Sequence, residues 1–427
     1  MKKLVGQAIA LTRNVWLTLP RDEHGYKAQF IAGRQKPFTG GLIISWWYTK
    51  TGLKAVEKIA TMLVESKSEF SGCDLESTEE VIRETLKEIC LDSRVFNTTA
   101  ILFSRYDTLF ECKALPDAYK LGEIIVNEIS IRLRDRLSSW CTVYVAPRIN
   151  GETFYIPQLG ISIVNKNDQT AWSKAVASNY ETNGWSPETG EFQKEDNTIF
   201  SRLKYDYLFL VEEKGTQKGS QFASQLKLRK LFAVIYATIS ERQERPLVKC
   251  AADPYTLSLQ LPCLASASLS ITISSIGALL PYYIDEHLLT KEDILKIQRW
   301  FELAGSSNNE NSNRIDKCSY FIHRAMNSID IESYVNFFVA LDALFGTRGA
   351  VEASITQGVQ MLHGSHKWQE KIAWLFELRN ELVHGGSRHL KEWHKYYNYY
   401  HHFDSKPNVD IEKLAFAALL RSPEILT

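Results

Sequence analysis

The chain has 427 residues, of which 44% are hydrophobic and 23% are charged. This length exceeds what one hydrophobic core usually supports, so two or three domains are expected, and the composition is that of an ordinary folded protein. The 50 basic side chains balance the 50 acidic ones, which excludes a global positive field for a polyanionic partner. Contact with nucleic acid would need local patches, for which "IRLRDRL" at residues 131–137 and "QLKLRKL" at residues 225–231 are candidates, although solvated helix faces give the same pattern.

Seven cysteines are scattered through the chain, and none forms a CxxC pair. This pattern argues against a disulfide framework or a zinc knuckle and fits a reducing compartment. No signal peptide is expected, because Gln7 and Arg13 interrupt the apolar stretch near the N-terminus. Residues 264–284 approach the length of a membrane span, but their serines and threonine favour a buried strand followed by a turn. The sequence therefore predicts a cytoplasmic location and no membrane partner.

Up to residue 150, strand-like runs alternate with amphipathic helical runs. Strands are predicted at residues 40–48 and 98–106, where β-branched and aromatic residues lie between turn formers. Helices are predicted at residues 51–67 and 75–91, where apolar residues recur at helical spacing. This part of the chain is expected to be a mixture of helices and strands.

The next segment is dominated by strand and loop patterns. Residues 141–165 predict two or three strands that are joined at Asn150 and Gly151 by a hairpin turn. The polar interval at residues 179–197 has no periodic apolar face and is expected to be an exposed loop.

A strand at residues 205–213 and a long helix at residues 220–244 follow. Before Pro281 there is no phosphate-binding glycine loop, no GxSxG nucleophile elbow and no HExxH pair. The sequence of this region therefore discloses no function of its own.

From about Leu288 the pattern is helical. The first helix is expected to begin at Thr290 and to end at Gly305, and a polar loop should follow at residues 306–314. The apolar residues of "YVNFFVALDALFG" surround almost the whole helix, which predicts the central helix of a bundle with Asp342 as the exception. The further helices are expected at residues 315–327, 331–345, 351–362 and 368–384.

The predicted fold class is α+β. A mixed α/β region should occupy residues 1–280, with a division into residues 1–140 and 141–280 left open. An all-α helical bundle should occupy residues 281–427.

The segment "LFELRNELVHGG" at residues 375–386 carries polar residues that packing does not explain. Its apolar residues supply a core stripe, and Gly385 is the expected left-handed stop. Asn380 and His384 are four positions apart and share a helix face, and the long side chain of Arg379 reaches the same volume. Arginine neutralises phosphate oxygens, and imidazole transfers protons near neutral pH, so this combination suits phosphodiester cleavage. The helix dipole alone also favours basic residues at this end, which is the structural alternative.

In this helical context the chain resembles the HEPN superfamily and, within it, the Apea-like group, over roughly residues 288–390. "SYVNFFVALDALFG" is similar to the second core helix of that group, and "WLFELRNELVHGG" is similar to its signature of arginine, a small polar residue and a final His-Gly. Arg379, Asn380 and His384 stand at the three positions of the RxxxxH motif. Asp342 stands where glutamate is more usual.

The resemblance implies a metal-independent endoribonuclease in a host-defence (anti-phage) or toxin setting. Its substrate is RNA, and two motifs meet across a symmetric homodimer to form one composite cleft, with no cofactor and no metal. The simplest attacking group is then the 2′-hydroxyl of the RNA itself. The N-terminal region, in which no site is recognised, is expected to sense a phage or cellular trigger or to restrain the nuclease.

Two alternatives stay open. The helical domain could be a catalytically inactive HEPN module that binds RNA or nucleotides or supports assembly, or the chemistry could lie in the N-terminal part. Nine of the ten histidines lie from His287 onward, but no cysteine or carboxylate joins them at the usual metal-ligand spacing. The aromatic run "WHKYYNYYHHF" at residues 393–403 could stack unpaired bases, although packing of a last helix is favoured.

Overall fold

The computed structural model shows an α+β protein. It describes residues 1–19, 26–34, 42–66, 68–146, 148–165, 168, 170, 185–186, 191–192, 207–243, 246–249, 256–262, 270–274, 279, 281, 283–363 and 366–426. The chain divides into two compact units. The first consists of Met1–Trp140 with Lys214–Gln221, and the second consists of Cys141–Glu213 with Phe222–Thr427.

The first unit packs amphipathic helices around a core of its own. A small antiparallel sheet has the strand order β1-β3-β2. The predicted strand at residues 40–48 and the predicted helices at residues 51–67 and 75–91 are confirmed as β3, α2 and α3. The elements are α1 (Lys2–Arg13), β1 (Val15–Trp16), β2 (Tyr26–Arg34), β3 (Leu42–Thr49), α2 (Lys50–Ser66), α3 (Leu75–Ile89), α4 (Thr98–Leu102) and α5 (Ala118–Asp135).

The strand predicted at residues 98–106 is wrong, because this segment begins with the short helix α4. Asn97 is the N-cap of this helix, and its Oδ1 accepts a hydrogen bond from the Ala100 N–H at 3.1 Å. In this segment the hydrogen bond from the cap side chain to the first turn of the helix outweighs the strand propensity of the β-branched and aromatic residues.

The second unit contains a six-stranded sheet of order β12-β11-β4-β10-β7-β6. The neighbouring pairs β6 with β7, β7 with β10 and β11 with β12 are antiparallel. A two-stranded parallel pair of β5 with β13 and a short pair of β8 with β9 are separate from it. The strands are β4 (Ser138–Ala146), β5 (Ile149–Gly151), β6 (Phe154–Ile156), β7 (Ile161–Asn165), β8 (Trp185–Ser186), β9 (Glu191–Phe192), β10 (Tyr207–Gly215), β11 (Thr256–Pro262), β12 (Ser270–Ser274) and β13 (His287–Leu289).

The hairpin turn predicted at Asn150 and Gly151 is wrong. Both residues lie in β5, where Asn150 pairs with Leu288 of β13 in the parallel register. The glycine has a packing reason instead, because a Cβ at Gly151 would collide with the hydroxyl oxygen of Tyr207. Of the loop expected at residues 179–197, the structure describes only β8 and β9, and the rest lies outside the described residues.

Eight helices of the described chain belong wholly or largely to the second unit. The predicted helix starts and ends agree within a few residues, except that the polar loop at residues 306–314 is shorter than expected. The Oδ1 atom of Asn308 accepts a hydrogen bond from the Asn311 N–H at 2.9 Å, so a helix begins there. The helices are α6 (Gln217–Arg242), α7 (Lys291–Gly305), α8 (Asn309–Met326), α9 (Asp330–Phe345), α10 (Val351–His363), α11 (His366–Val383), α12 (Tyr396–Phe403) and α13 (Pro407–Ile425).

One continuous hydrophobic core joins the sheet of the second unit to its helices. In α6, residues 231–239 are all buried in this core, and α9 packs against α8, α10, α11 and α13 as expected for a central helix. The division expected at residue 280 therefore falls inside the second unit, whereas the boundary between the units lies at residue 140, where a subdivision of residues 1–280 was left open. No helix in the described part of the chain has the length and apolar character that a membrane crossing requires.

Candidate functional site

Helix α11 ends at the motif through a glycine stop. Gly385 has a φ of 77°, the left-handed conformation that glycine adopts without steric strain. Its N–H donates to the Leu382 carbonyl at 3.3 Å, and the Gly386 N–H donates to the Glu381 carbonyl at 2.8 Å. These two hydrogen bonds form a Schellman motif, so the predicted helix end is confirmed. His384 is the last residue before the left-handed turn.

Arg379 and Asn380 lie together in an open cleft. The Nη1 atom of Arg379 donates a hydrogen bond to Asn380 Oδ1 at 3.0 Å. This contact holds the guanidinium group in one orientation and leaves its other N–H donors available to a ligand. The cleft has a volume of about 300 Å³, and side chains of α9, α10 and α11 line it. Its floor is apolar, with Phe338, Ile355 and Phe376 nearly fully buried.

His384 is exposed at the end of the same helix, and it is not among the residues that line the cleft. The structure therefore brings Arg379 and Asn380 together and places His384 one turn further along, outside the cleft. Val383 next to it is 50% exposed, which is unusual for a valine beside a helical core. This helix end is open to a partner or substrate.

Two carboxylates share the cleft with Arg379. Asp342 comes from α9 and was singled out by the sequence as the exception in an apolar helix, whereas Glu352 comes from α10 and was not predicted. The sequence signal of Glu352 is ambiguous, because an acidic residue in a first helical turn is favoured by the dipole alone. Within the described part of the chain, neither carboxylate forms a hydrogen bond or an ion pair from its side chain.

The basic run at residues 131–137 does not form a free basic patch. Each of its three arginines is paired with a glutamate on a neighbouring element. The pairs are Arg132 with Glu88 at 2.6 Å, Arg134 with Glu69 at 3.0 Å and Arg136 with Glu84 at 2.8 Å. The three glutamates offset the positive charge of the three arginines, so this run does not form a net basic patch.

The basic run at residues 225–231 is also engaged within the protein. Lys227 and Lys230 pair with Glu213 and Asp316, and the guanidinium of Arg229 lies 5.4 Å from the ring centre of Tyr320. Neither run identified from the sequence is therefore a candidate nucleic-acid surface.

The C-terminal histidines are dispersed over the surface. His389 Nδ1 lies 3.0 Å from Asp330 Oδ2, and His402 Nε2 lies 3.0 Å from Glu370 Oε1. His394 lies 3.5 Å from Glu381. Among the described residues, no three histidine, cysteine, aspartate or glutamate side chains are grouped so as to hold a metal ion.

The aromatic run after α11 packs against the bundle, which confirms the favoured interpretation, although the helix that it forms, α12, is followed by α13 and is not the last. Trp393, Tyr396, Tyr399 and Phe403 are buried, whereas Tyr397 is 67% exposed. The buried members pack against α11 through contacts such as that of Trp374 with Phe403, whose ring centres are 5.7 Å apart.

A buried ion pair holds α11 against α13. Lys371 Nζ lies 2.7 Å from Asp410 Oδ2, and the Tyr399 hydroxyl donates to the same oxygen at 2.8 Å. Burial, and after it the Asp410 carboxylate, raises the pKa of Tyr399 well above its ordinary value, so the phenol stays a hydrogen-bond donor. The Tyr334 hydroxyl also donates to the Leu375 carbonyl at 2.8 Å, which ties α9 to α11. The backbone that carries Arg379 is therefore well supported.

The cleft can bind a group that carries both hydrogen-bond acceptors for a guanidinium and donors for carboxylates. The exposed imidazole at the helix end can transfer a proton to or from a bound group. No family model, no curated protein and no solved structure matches the chain.

Proposed function

We propose that the protein is a metal-independent endoribonuclease of the HEPN type. The observation that carries the proposal is the arrangement on α11, where Asn380 orients Arg379 in an open cleft and His384 stands exposed at the helix end. The resemblance of the helical region to the Apea-like group supports it. Arg379, Asn380 and His384 are the proposed site residues, and RNA is the proposed substrate.

In the proposed reaction the RNA's own 2′-hydroxyl attacks the adjacent phosphorus. His384 accepts the proton of that hydroxyl, and Arg379 stabilises the negative charge that develops on the non-bridging oxygens. The bond to the 5′-oxygen of the next nucleotide breaks, and that oxygen takes up a proton. The products are a 2′,3′-cyclic phosphate and a 5′-hydroxyl.

A homodimer through the helical domain is part of the proposal. One chain supplies one titratable imidazole, whereas the attacking and the leaving oxygen each need a proton transfer. A symmetric pair of chains would bring a second His384 and Arg379 to the same substrate. His384 lies at an exposed helix end, outside the cleft of its own chain. In a symmetric dimer it would therefore be free to contact the cleft of the partner chain.

The reaction is tested with purified full-length protein and a labelled RNA. We expect cleavage in the presence of EDTA, products with the ends named above, and no cleavage of a 2′-deoxy substrate, because DNA lacks the attacking hydroxyl. Light scattering should give the mass of a dimer or a larger even assembly. Cleavage of the deoxy substrate at a similar rate, or activity that chelation removes and zinc or magnesium restores, would contradict the mechanism.

The proposed setting is host defence or toxicity, in which the first unit senses a phage or cellular trigger or restrains the nuclease. Expression of the wild type should then arrest growth and degrade total RNA, and His384→Ala should do neither. Growth arrest by the His384→Ala protein as well would show that the toxicity does not depend on RNA cleavage.

The second candidate function is a catalytically inactive module that binds RNA or nucleotides or supports assembly. The position of His384 outside the cleft favours it, because in one chain the proton-transfer group and the charged group do not line the same cavity. RNA binding with no cleavage under any condition, together with an effect of Arg379→Ala on binding, would favour this candidate.

A further inference from the structure

The cleft at Arg379 contains polar groups that the protein itself does not use. Asp342 and Glu352 line it, and their carboxylates have no hydrogen-bond or ion-pair partner among the residues that the structure describes. Arg379 lines the same cleft, and its one side-chain hydrogen bond within that part of the chain goes to Asn380. Asp342 and Glu352 are exposed and Arg379 is half-buried, so these groups are accessible to a ligand that enters the cleft.

Asp342 is placed where the helix does not favour it. It lies in the last turn of α9, where the backbone carbonyls make the helix end negative and a carboxylate is destabilised. A Cβ at Gly346 would collide with Asp342 Oδ1, so the glycine after the helix leaves room for the carboxylate. Glu352, in contrast, lies in the first turn of α10, where its charge is favourable without a ligand. Asp342 is exposed, so water can solvate its carboxylate, and a ligand that donates hydrogen bonds can replace that water in the cleft.

The chemistry of these groups limits the ligand. A carboxylate only accepts hydrogen bonds, and it binds best to two adjacent donors that match its two oxygens. A cleft of about 300 Å³ is at the small end of ligand pockets and suits one nucleotide better than a folded RNA stem. Proteins read unpaired RNA bases through the Watson–Crick edge, and this cleft offers acceptors for such an edge above an apolar floor.

Guanine is the RNA base whose Watson–Crick edge offers two adjacent donors, N1–H and the N2 amino group. Adenine and cytosine offer one amino group beside a ring nitrogen that accepts, and uracil offers one N–H between two carbonyls. Against these three bases, one carboxylate oxygen would face an acceptor. A carboxylate thus discriminates for guanine both by attraction and by repulsion.

We propose that the cleft binds guanine, with the Asp342 carboxylate accepting hydrogen bonds from N1–H and the N2 amino group. The inference rests on the proposed function in one respect, which is that it makes guanosine the nucleotide next to the cleaved phosphate. Arg379 keeps its role at the phosphate and does not contact the base edge.

The first test is the binding of nucleoside monophosphates to the full-length protein, measured by calorimetry. Guanosine monophosphate should bind roughly tenfold more tightly than inosine monophosphate, which lacks the N2 amino group, or than the 1-methylguanosine form, which lacks N1–H. The adenosine, cytidine and uridine monophosphates carry the same phosphate and should bind at least as weakly. Asp342→Asn should remove the preference, and the matched change Glu302→Gln on the exposed face of α7 should leave it intact.

The second test separates this inference from the nuclease activity. Oligoribonucleotides with one guanosine, and the same oligonucleotides with inosine at that position, are incubated with the protein. Cleavage without base preference, together with equal binding of all monophosphates, would overturn the guanine site and leave the nuclease standing. Guanine preference in binding without cleavage would overturn the nuclease and leave the guanine site standing. Absence of nucleotide binding, or a guanine preference that Asp342→Asn leaves unchanged, would overturn the guanine site.

Discussion

Among single residues, Arg379 carries the positive charge of the proposed site, and its neutral neighbour Asn380 orients it. Asn380→Ala removes the acceptor of the Arg379 hydrogen bond but no charge and no proton-transfer group. We expect cleavage to slow by roughly tenfold, because one neutral-to-charged hydrogen bond contributes about 1.5 kcal/mol. Single-turnover kinetics measure this change. Asn380→Asp is a second useful variant. Its carboxylate should hold Arg379 more firmly but repel the phosphate of the RNA, so cleavage should also slow. A loss with Asn380→Ala as large as with Arg379→Ala would contradict an orienting role.

The helix that carries Arg379, Asn380 and His384 could be predicted from the sequence, but the cleft beside it could not. Residues four apart on a helix must share a face, so the neighbourhood of Asn380 and His384 followed from spacing. The cleft is formed by three helices that are distant along the chain, which is why Glu352 could not be assigned to it. His384 lies outside the cleft because the helix ends there and Gly385 turns the backbone into the left-handed region.

At the scale of the element, the end of α11 is stabilised by the conformation of one glycine. No atom would lie within 4 Å of a Cβ at Gly385, so Gly385→Ala causes no clash and acts through its φ of 77° alone. We expect a loss of about 1 kcal/mol in the free energy of unfolding, seen as a lower denaturant midpoint. Gly6→Ala in α1 is the matched control, because it is also open and has no positive φ, and it should stabilise slightly. Equal effects of the two changes would contradict the assigned left-handed stop.

The attachment of α11 to α13 depends on a buried ion pair. The side chains of Lys371 and Asp410 are 9% and 4% exposed, so Lys371→Met would leave a buried carboxylate without its cation. We expect a loss of about 3 kcal/mol in stability, measured by denaturant unfolding. Lys395→Met is the matched control on a half-exposed pair with Glu377 at 2.7 Å, and it should change stability by less than about 1 kcal/mol. A similar loss in the free energy of unfolding for both variants would show that burial does not make the Lys371–Asp410 pair more important for stability.

Elements with strong local signals were predictable, and those decided by distant contacts were not. Thr290 marked the start of α7 through a capping box with Asp293, which the sequence displays directly. Gly151 carried a turn signal but serves close packing against Tyr207, a residue 56 positions later, and no local pattern contains that contact.

At the scale of the whole molecule, the fold predicts where the chain can be cut. Residues 231–239 of α6 are buried in the core that the C-terminal helices share. A fragment of residues 281–427 loses this helix, so it should expose apolar surface and aggregate. A fragment of residues 141–427 keeps the whole core and should unfold cooperatively. Circular dichroism and thermal unfolding of both fragments provide the test. A cooperative, monodisperse fragment of residues 281–427 would contradict the shared core.

The first unit is expected to regulate, since the proposed site lies in the second unit. If so, the fragment of residues 141–427 should cut RNA at least as fast as the full chain. A folded but inactive fragment would instead mean that the first unit contributes to catalysis.

The decisive experiment compares RNA cleavage by purified wild type, Arg379→Ala and His384→Ala in the presence of EDTA. General acid–base catalysis and charge stabilisation each contribute about 10²- to 10⁴-fold, so either change should reduce cleavage below detection. Because His384 is exposed and Arg379 only half-buried, both variants should keep the unfolding temperature of the wild type. The account predicts 2′,3′-cyclic phosphate ends from the wild type and no cleavage by either folded variant. Cleavage by a folded His384→Ala protein at the wild-type rate would contradict it.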